Sequence, residues 1–295
     1  MRATGGTRAG VAALMLAAAV GVAAGAAPAA RAAENGHVEI PRQKWSFSGL
    51  LGKFDQAQLQ RGFKVYVEAC ARCHGIKRIA FRNLVQPGGP GFSEAQIKSL
   101  AETYKVDAAP NEQGKVVKRA AILSDLFPPP FKNDNEARSA QASGALPPDL
   151  SLIARARSVE SDAPFYRVPL NMLRDIFTGY QEGGADYVYA FLEGFKPPPD
   201  KVTVPKNMNY NEAFPKPHFT GMPNPFVAGD GLIKYDDGTP GTVDNYVRDV
   251  VAFLSWAADP KLEERKRIGL LVLGYLLITA ILLYFAKRRI WSKVH

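Results

Sequence analysis

Two uninterrupted apolar runs bracket the chain, at Val11–Ala27 and Ile268–Ala286. Between them, short amphipathic stretches alternate with loops rich in proline and glycine. Leu59, Phe63, Val67 and Cys70 recur at spacings of four, four and three, which predicts a helix that Asp55 can cap. Ser93-Glu94-Ala95-Gln96 has the form of a capping box and opens a second amphipathic run to Tyr104. Asp149 opens a short helix near Leu150–Arg157, and a longer one is expected over Asp186–Phe195, after Gly183-Gly184 and before the stop at Pro197–Pro199. Beyond a turn at Asp236-Asp237-Gly238-Thr239-Pro240, Val243, Val247, Val250 and Leu254 share one face of a helix that runs from Thr242 to Pro260. A further helix then enters the last apolar run. Few segments alternate as strands do, so the body is expected to be mainly α with long loops.

The two apolar runs have different characters. In residues 1–33, Arg2 and Arg8 precede an Ala/Gly-rich stretch that ends in small residues around Ala30-Arg31-Ala32. This is the anatomy of a secretory signal peptide, with cleavage expected near Ala32 or Ala33. Ile268–Ala286 is richer in Leu, Ile and Val and carries no charge over 19 residues. As a helix it would be about 28 Å long, close to the hydrocarbon thickness of a bilayer. A core helix would show a polar face, and this one has none. Tyr284 and Trp291 suit the membrane interface. The expected organisation is a signal peptide at 1–33, an exported domain at 34–260, and an anchor at 261–295 spanning about 268–286. The leader places the body outside and the tail Lys287–His295 inside.

The net charge of +9 would suggest nucleic acid if it lay on the folded body. It does not. Arg2, Arg8 and Arg31, the run Lys261–Arg267, and Lys287, Arg288, Arg289 and Lys293 carry the whole excess. Residues 32–260 hold 26 basic and 26 acidic side chains, so no basic stripe exists for a nucleic acid to follow.

The only two cysteines stand in Cys70-Ala71-Arg72-Cys73-His74, a C-x-x-C-H motif. Thiols at i and i+3 on a helix lie on one face about a turn apart, a spacing that lets each sulfur join one vinyl group of a haem. The histidine that follows faces the iron from the same side, and the pattern marks c-type haem attachment. A zinc site would need four ligands, and beyond the motif only His37, His218 and His295 remain. A thioredoxin-like motif would sit near a βαβ pattern, which is not found.

The sixth iron ligand separates an electron carrier from an oxygen- or peroxide-handling haem. Three methionines follow the motif. Met172 lies among Leu170, Leu173 and Ile176 at a spacing that fits ordinary helix packing, and Met208 lies in the polar stretch Lys206–Asn211. Met222 stands in Phe-Thr-Gly-Met-Pro-Asn-Pro-Phe, where Pro223 and Pro225 stiffen a loop and Gly221 permits close approach. Met222 is the favoured ligand, and His218 competes with it.

The haem motif is one of eight stretches that resemble the cytochrome c1 family, the haem subunits of the ubiquinol–cytochrome c reductase (cytochrome bc1) complex. They are FDQAQLQRGFKVYVEACARCH (54–74), FRNLV (81–85), APNEQG (109–114), LSDLFPPP (123–130), GALPPDLSLI (144–153), GGADYVYAFLEGF (183–195), YDDGTP (235–240) and FLSWAADPKLEERKRIGL (253–270). They keep the family's order and cover residues 45–293. The resemblance implies a cytochrome c-like haem domain with long loop insertions and one C-terminal transmembrane helix. It also implies one covalent haem c on Cys70 and Cys73, with His74 and Met222 as axial iron ligands. Arg119 matches an arginine that contacts a haem propionate. Two departures stand out: the Met222 loop is one residue longer than usual, and Leu126 stands where many members have tyrosine.

The implied role is a relay of single electrons from a Rieske iron–sulfur protein to a cytochrome c, beside cytochrome b, with no catalysis by this chain alone. The implied place is a bacterial inner (cell) membrane, single-pass, with the haem domain in the periplasm and the C-terminus in the cytoplasm. A stand-alone membrane-anchored carrier is the alternative. A peroxidase or gas sensor would require an exchangeable sixth ligand. Asp236, Asp237 and Asp244 read as a solvated acidic face, with steering of a basic cytochrome c as the second reading.

Overall fold

The computed structural model describes residues 38, 40–158 and 165–292. The signal peptide read at 1–33 and the last residues of the tail, 293–295, lie outside the described residues. Asp55 accepts from the Gln58 amide (2.8 Å) and starts α1 (Gln56–Val65), as its sequence position predicts. The helix does not run regularly into the haem motif. It widens into a π-turn over Tyr66–Cys70, so Tyr66 and Cys70 are buried while Val67 is only half-covered. The single stripe expected through Leu59, Phe63, Val67 and Cys70 is rotated by that extra residue.

A 3₁₀ turn (Phe81–Val85) follows, then α2 (Glu94–Glu102), whose Ser93 and Gln96 form the capping box. A two-stranded antiparallel ribbon pairs β1 (Lys105–Asp107) with β2 (Lys118–Ala120). Short helices α3 (Asp134–Ser139) and α4 (Ile153–Ala156) interrupt the long loop region. Next come α5 (Val168–Thr178) and α6 (Gly183–Glu193), the latter starting on the two glycines rather than after them. A small hairpin pairs β3 (Asn209–Tyr210) with β4 (Phe219–Thr220). Thr242 caps α7 (Val243–Ala258), and α8 (Leu262–Trp291) ends the described chain. The fold is mainly α, with little strand.

The core is the crossing of α1 and α7, the most extensive helix pair in the protein. Glycine makes it possible. A Cβ on Gly62 would lie 2.0 Å from the Asp249 carbonyl oxygen and 2.7 Å from Phe253 Cβ. Around this contact Leu59, Phe63, Tyr246, Val250, Phe253 and Trp256 are buried. α4 and α6 meet equally closely at Gly184, where a Cβ would lie 2.0 Å from the Ala154 carbonyl oxygen.

Two buried carboxylates lock the layers. Asp249 accepts from Arg61 Nε (2.8 Å) and Nη2 (3.3 Å), and Arg61 Nη1 reaches on to Asp237 (2.8 Å). Asp186 accepts from the Gln43 amide (3.0 Å), Trp45 Nε1 (2.8 Å) and the Tyr180 hydroxyl (2.7 Å), pinning the segment before α1 onto α6. Removing one partner of a buried pair strands the other. Asp249→Ala is therefore expected to lower stability by about 3 kcal/mol, read from urea unfolding of the detergent-solubilised chain. An Asp249→Ala chain as stable as the unmodified one would show that this pair does not hold α1 to α7.

The acidic residues read as a solvated face are already engaged. Asp236 pairs with Lys64 (2.8 Å), Asp237 with Arg61 (2.8 Å), and Asp244 with Arg248 (3.0 Å) while accepting from the Tyr189 hydroxyl (2.6 Å). Neutralised by cations within the same chain, they present little net field to a distant partner.

α8 leaves the body at once. Glu263 accepts from the Phe54 amide (2.9 Å) and Lys266 Nζ donates to the Phe47 carbonyl (2.6 Å). Leu262 is buried and Arg265 bonds Asp259, but from Arg267 on its side chains are largely exposed, and it is the one described helix long and apolar enough to cross a membrane.

Candidate haem site

The π-turn delivers Cys70 at the buried end of the first helical segment, and two tight backbone bonds then turn the chain. The Cys73 and His74 amides both donate to the Cys70 carbonyl, at 3.1 and 2.9 Å. Burial pushes the Cys70 thiol up to about 12, helped by Cys73, and Cys73 is only half-buried. Tyr66, buried behind them, donates its hydroxyl to the His74 carbonyl (3.0 Å). Both thiols are free, and no disulfide competes for them.

His74 is held by one hydrogen bond that fixes its chemistry. Its Nδ1 lies 2.8 Å from the Pro148 carbonyl oxygen. A carbonyl can only accept, so Nδ1 carries the proton and Nε2 keeps its lone pair. Burial lowers the imidazole's proton affinity, against the smaller opposing effects of Pro148 and Asp149. The side chain is a neutral imidazole whose second nitrogen is ready to donate to a metal. Segment 148–151 is also bound to the chain just after the motif: the Leu150 amide donates to Gly75 (2.8 Å), Asp149 accepts from the Lys77 amide (3.0 Å), and Ser151 accepts from the Arg78 amide (3.1 Å).

The same loop reaches the methionine. Gln141 Nε2 approaches Cys73 Sγ (3.6 Å), and Ser143 Oγ donates to the Gly221 carbonyl (3.2 Å). A Cβ at Gly221 would lie 2.5 Å from Ser143 Oγ, so only glycine allows this approach. Met222 follows directly, its amide bonded to Thr220 Oγ1 (3.2 Å), its side chain half-buried against the core. Residues 141–150 thus connect Cys73, His74 and the Met222 loop.

The other candidates are placed differently. Met172 lies on the exposed face of α5, outside any core packing, which corrects the reading from its spacing. Met208 is half-covered, just ahead of the β3–β4 hairpin. His218 turns its Nδ1 to the Phe214 carbonyl (2.7 Å) and packs its ring near Tyr210, inside the hairpin that precedes Met222. Arg119 forks onto Asp125 (2.6 and 2.8 Å) and reaches the Ala120 carbonyl (2.9 Å). The guanidinium holds the Asp125 carboxyl below its usual range. Arg119 makes no direct contact with the motif. The loop that follows its strand passes Gly75, the residue after the motif, where a Cβ would lie 3.5 Å from Pro130. Ile122 and Leu126 stand exposed on that loop.

This donor set suits a haem rather than a bare ion. Among the described residues no three His, Cys, Asp or Glu side chains gather into a cage for a metal ion. An iron already held by a porphyrin needs only two axial donors, for which the neutral His74 imidazole and the Met222 thioether are the candidates. Sequence spacing could identify the motif, but not Pro148 and Gln141, which act on it from about 70 residues away, nor Ser143, which braces the Met222 loop.

Comparison with known proteins agrees. The family model for the Cytochrome C1 family matches residues 45–294. The chain is 47% identical over 264 residues to "Cytochrome b/c1" of Bradyrhizobium diazoefficiens, covering 89% of this chain and 37% of that longer protein. It is 42% identical to "Cytochrome c1" of Blastochloris viridis (85% of this chain, 86% of the relative) and 38% identical to that of Rhodospirillum rubrum (89% and 91%). The chain therefore belongs to the cytochrome c1 family.

Proposed function

We propose that the chain is the membrane-anchored cytochrome c1 subunit of a cytochrome bc1 complex, relaying single electrons from a Rieske iron–sulfur protein to a cytochrome c. The observation that carries this reading is the His74 imidazole, neutral and fixed by Pro148, beside two free thiols on one loop-braced turn. One haem c would be held by thioethers to Cys70 and Cys73, with His74 and Met222 as axial ligands. Bound there, the haem supplies a reversible one-electron change at iron.

The chain's own residues keep the site stiff. Pro148 fixes the ring plane of His74, and Ser143 and Thr220 fix the backbone around Met222. Arg119 spends three of its five N–H donors on Asp125 and Ala120, leaving Nε–H and one Nη2 proton for a propionate. Asp125 thereby orients the guanidinium. No bond of a substrate is made or broken by this chain alone. The anchor is single-pass. The haem domain lies in the periplasm of a bacterial cell membrane and the basic end of α8 in the cytoplasm, a placement supported by the leader pattern of residues 1–33 and by Lys287, Arg288 and Arg289.

Mild detergent extraction tests the assignment. Cytochrome b and a Rieske protein are expected to copurify with the chain in fixed proportion. A chain that purifies alone, with its haem reducible by quinol only through added carriers, would favour the stand-alone reading.

A further inference from the structure

α5 is turned inside out. Its polar residues Asn171 and Asp175 are half-buried against the body, where Asp175 pairs with Arg42 (3.0 Å). Leu170, Met172, Leu173, Ile176 and Phe177 face outward, and Phe177 is 84% exposed. On a helical projection these five, with Val168, fill one continuous arc, and Asn171, Arg174, Asp175 and Thr178 fill the other. Phe165 and Tyr166, in the preceding turn, are exposed as well. A contiguous apolar surface of this kind marks a contact with lipid or protein.

The level of α5 along the molecule selects lipid. Gly179, its left-handed C-cap, is so close to the loop before α1 that a Cβ there would lie 3.0 Å from Gly49 Cα and 3.3 Å from the Leu50 amide nitrogen. That loop is bound to α8 by Lys266, whose amine donates to Phe47 (2.6 Å) and Gly52 (3.4 Å). Lys266 stands two residues before Ile268, where the uncharged run begins. Leu50 and Leu51 project from the same loop, Leu51 80% exposed. The end of α5 is therefore one loop away from the point where α8 enters the bilayer. Arg167 and Arg174 stand beside the apolar arc, where guanidinium groups reach lipid headgroups while the apolar face sinks.

We infer that α5 is an interfacial helix, lying in the headgroup region of the bilayer that α8 crosses, with its apolar face toward the acyl chains. The haem domain then meets the membrane at two places, and rotation about the α8 axis is restrained. This rests on the reading of α8 as the anchor. Alkaline carbonate extraction tests the anchor separately, since a spanning chain stays with the membrane whatever α5 does.

The test uses the purified complex in liposomes containing anionic lipid, with a nitroxide on Leu173→Cys or Phe177→Cys and a control on exposed Lys206→Cys. An unchanged haem spectrum certifies each variant as folded. At 173 and 177, dissolved oxygen is expected to relax the label several-fold more than a water-soluble nickel chelate, at a depth of about 5–10 Å. At 206 the order reverses. Free access of nickel at 173 and 177 would place α5 in water, and exclusion of both reagents would place it against a protein subunit. Either result overturns the inference.

Discussion

Replacing Met222 with leucine is expected to leave the chain folded and its haem attached, yet to abolish electron delivery to a cytochrome c. Leucine is close to methionine in volume, and such swaps cost under about 1.5 kcal/mol. Met222 is only half-buried, which eases the change further. What is lost is the thioether. Axial ligation moves haem potentials over roughly 0.8 V, and loss of a methionine sulfur lowers them. A fall on the order of 0.2 V is expected, and each 0.1 V is about 2.3 kcal/mol per electron. A carrier shifted that far cannot be reduced by its usual donor at a useful rate. Redox titration of the purified complex measures the shift, and carbon monoxide should now perturb the reduced spectrum. An unchanged potential, with an inert spectrum, would remove Met222 from the iron and reopen the case for His218.

Gly62→Val carries the largest expected effect on stability. The added branched side chain has nowhere to go, because the atoms it meets are the Asp249 carbonyl and the Phe253 Cβ, both fixed by α7. A flexible side chain could move aside, but a helix backbone cannot. Overpacking in a close-packed core ordinarily costs about 1–3 kcal/mol. Here α1 and α7 must also part, which loosens the Arg61–Asp249 pair beside the crossing. A loss of about 3 kcal/mol or more is expected, with little holo-protein recovered, since α1 carries the haem motif at its end. Thermal unfolding and haem yield per mole of chain check this. Normal yield and stability for Gly62→Val would show that the two helices have room to spare.

The elements that sequence periodicity placed best are those stabilised by local interactions. Asp55, the Ser93–Gln96 box and Thr242 each cap the helix they precede, because a cap is a bond between residues two or three apart. The apolar span of α8 was legible for the same reason: it needs no partner to be recognised. The π-turn at Tyr66–Cys70 was not legible, since a single widened turn leaves no periodic trace. α5 misled by its spacing. Periodicity reports that one face is apolar, not what covers it, and here that face points away from the core. The site divides in the same way. Cys70, Cys73 and His74 announce themselves by adjacency, whereas the hydrogen bond that sets the His74 tautomer comes from a backbone carbonyl 74 residues on. The family resemblance supplied Arg119, but not Asp125, whose carboxylate orients it.

The central claim is a covalent haem on the Cys70–His74 turn, and denaturation tests it most directly. Acid–acetone treatment of the purified chain removes any haem held only by axial bonds and packing. The account predicts that the haem stays on the unfolded polypeptide, and that a tryptic peptide containing Cys70 and Cys73 carries it with neither thiol open to alkylation. Haem in the acetone phase, with both cysteines alkylated, would contradict the account.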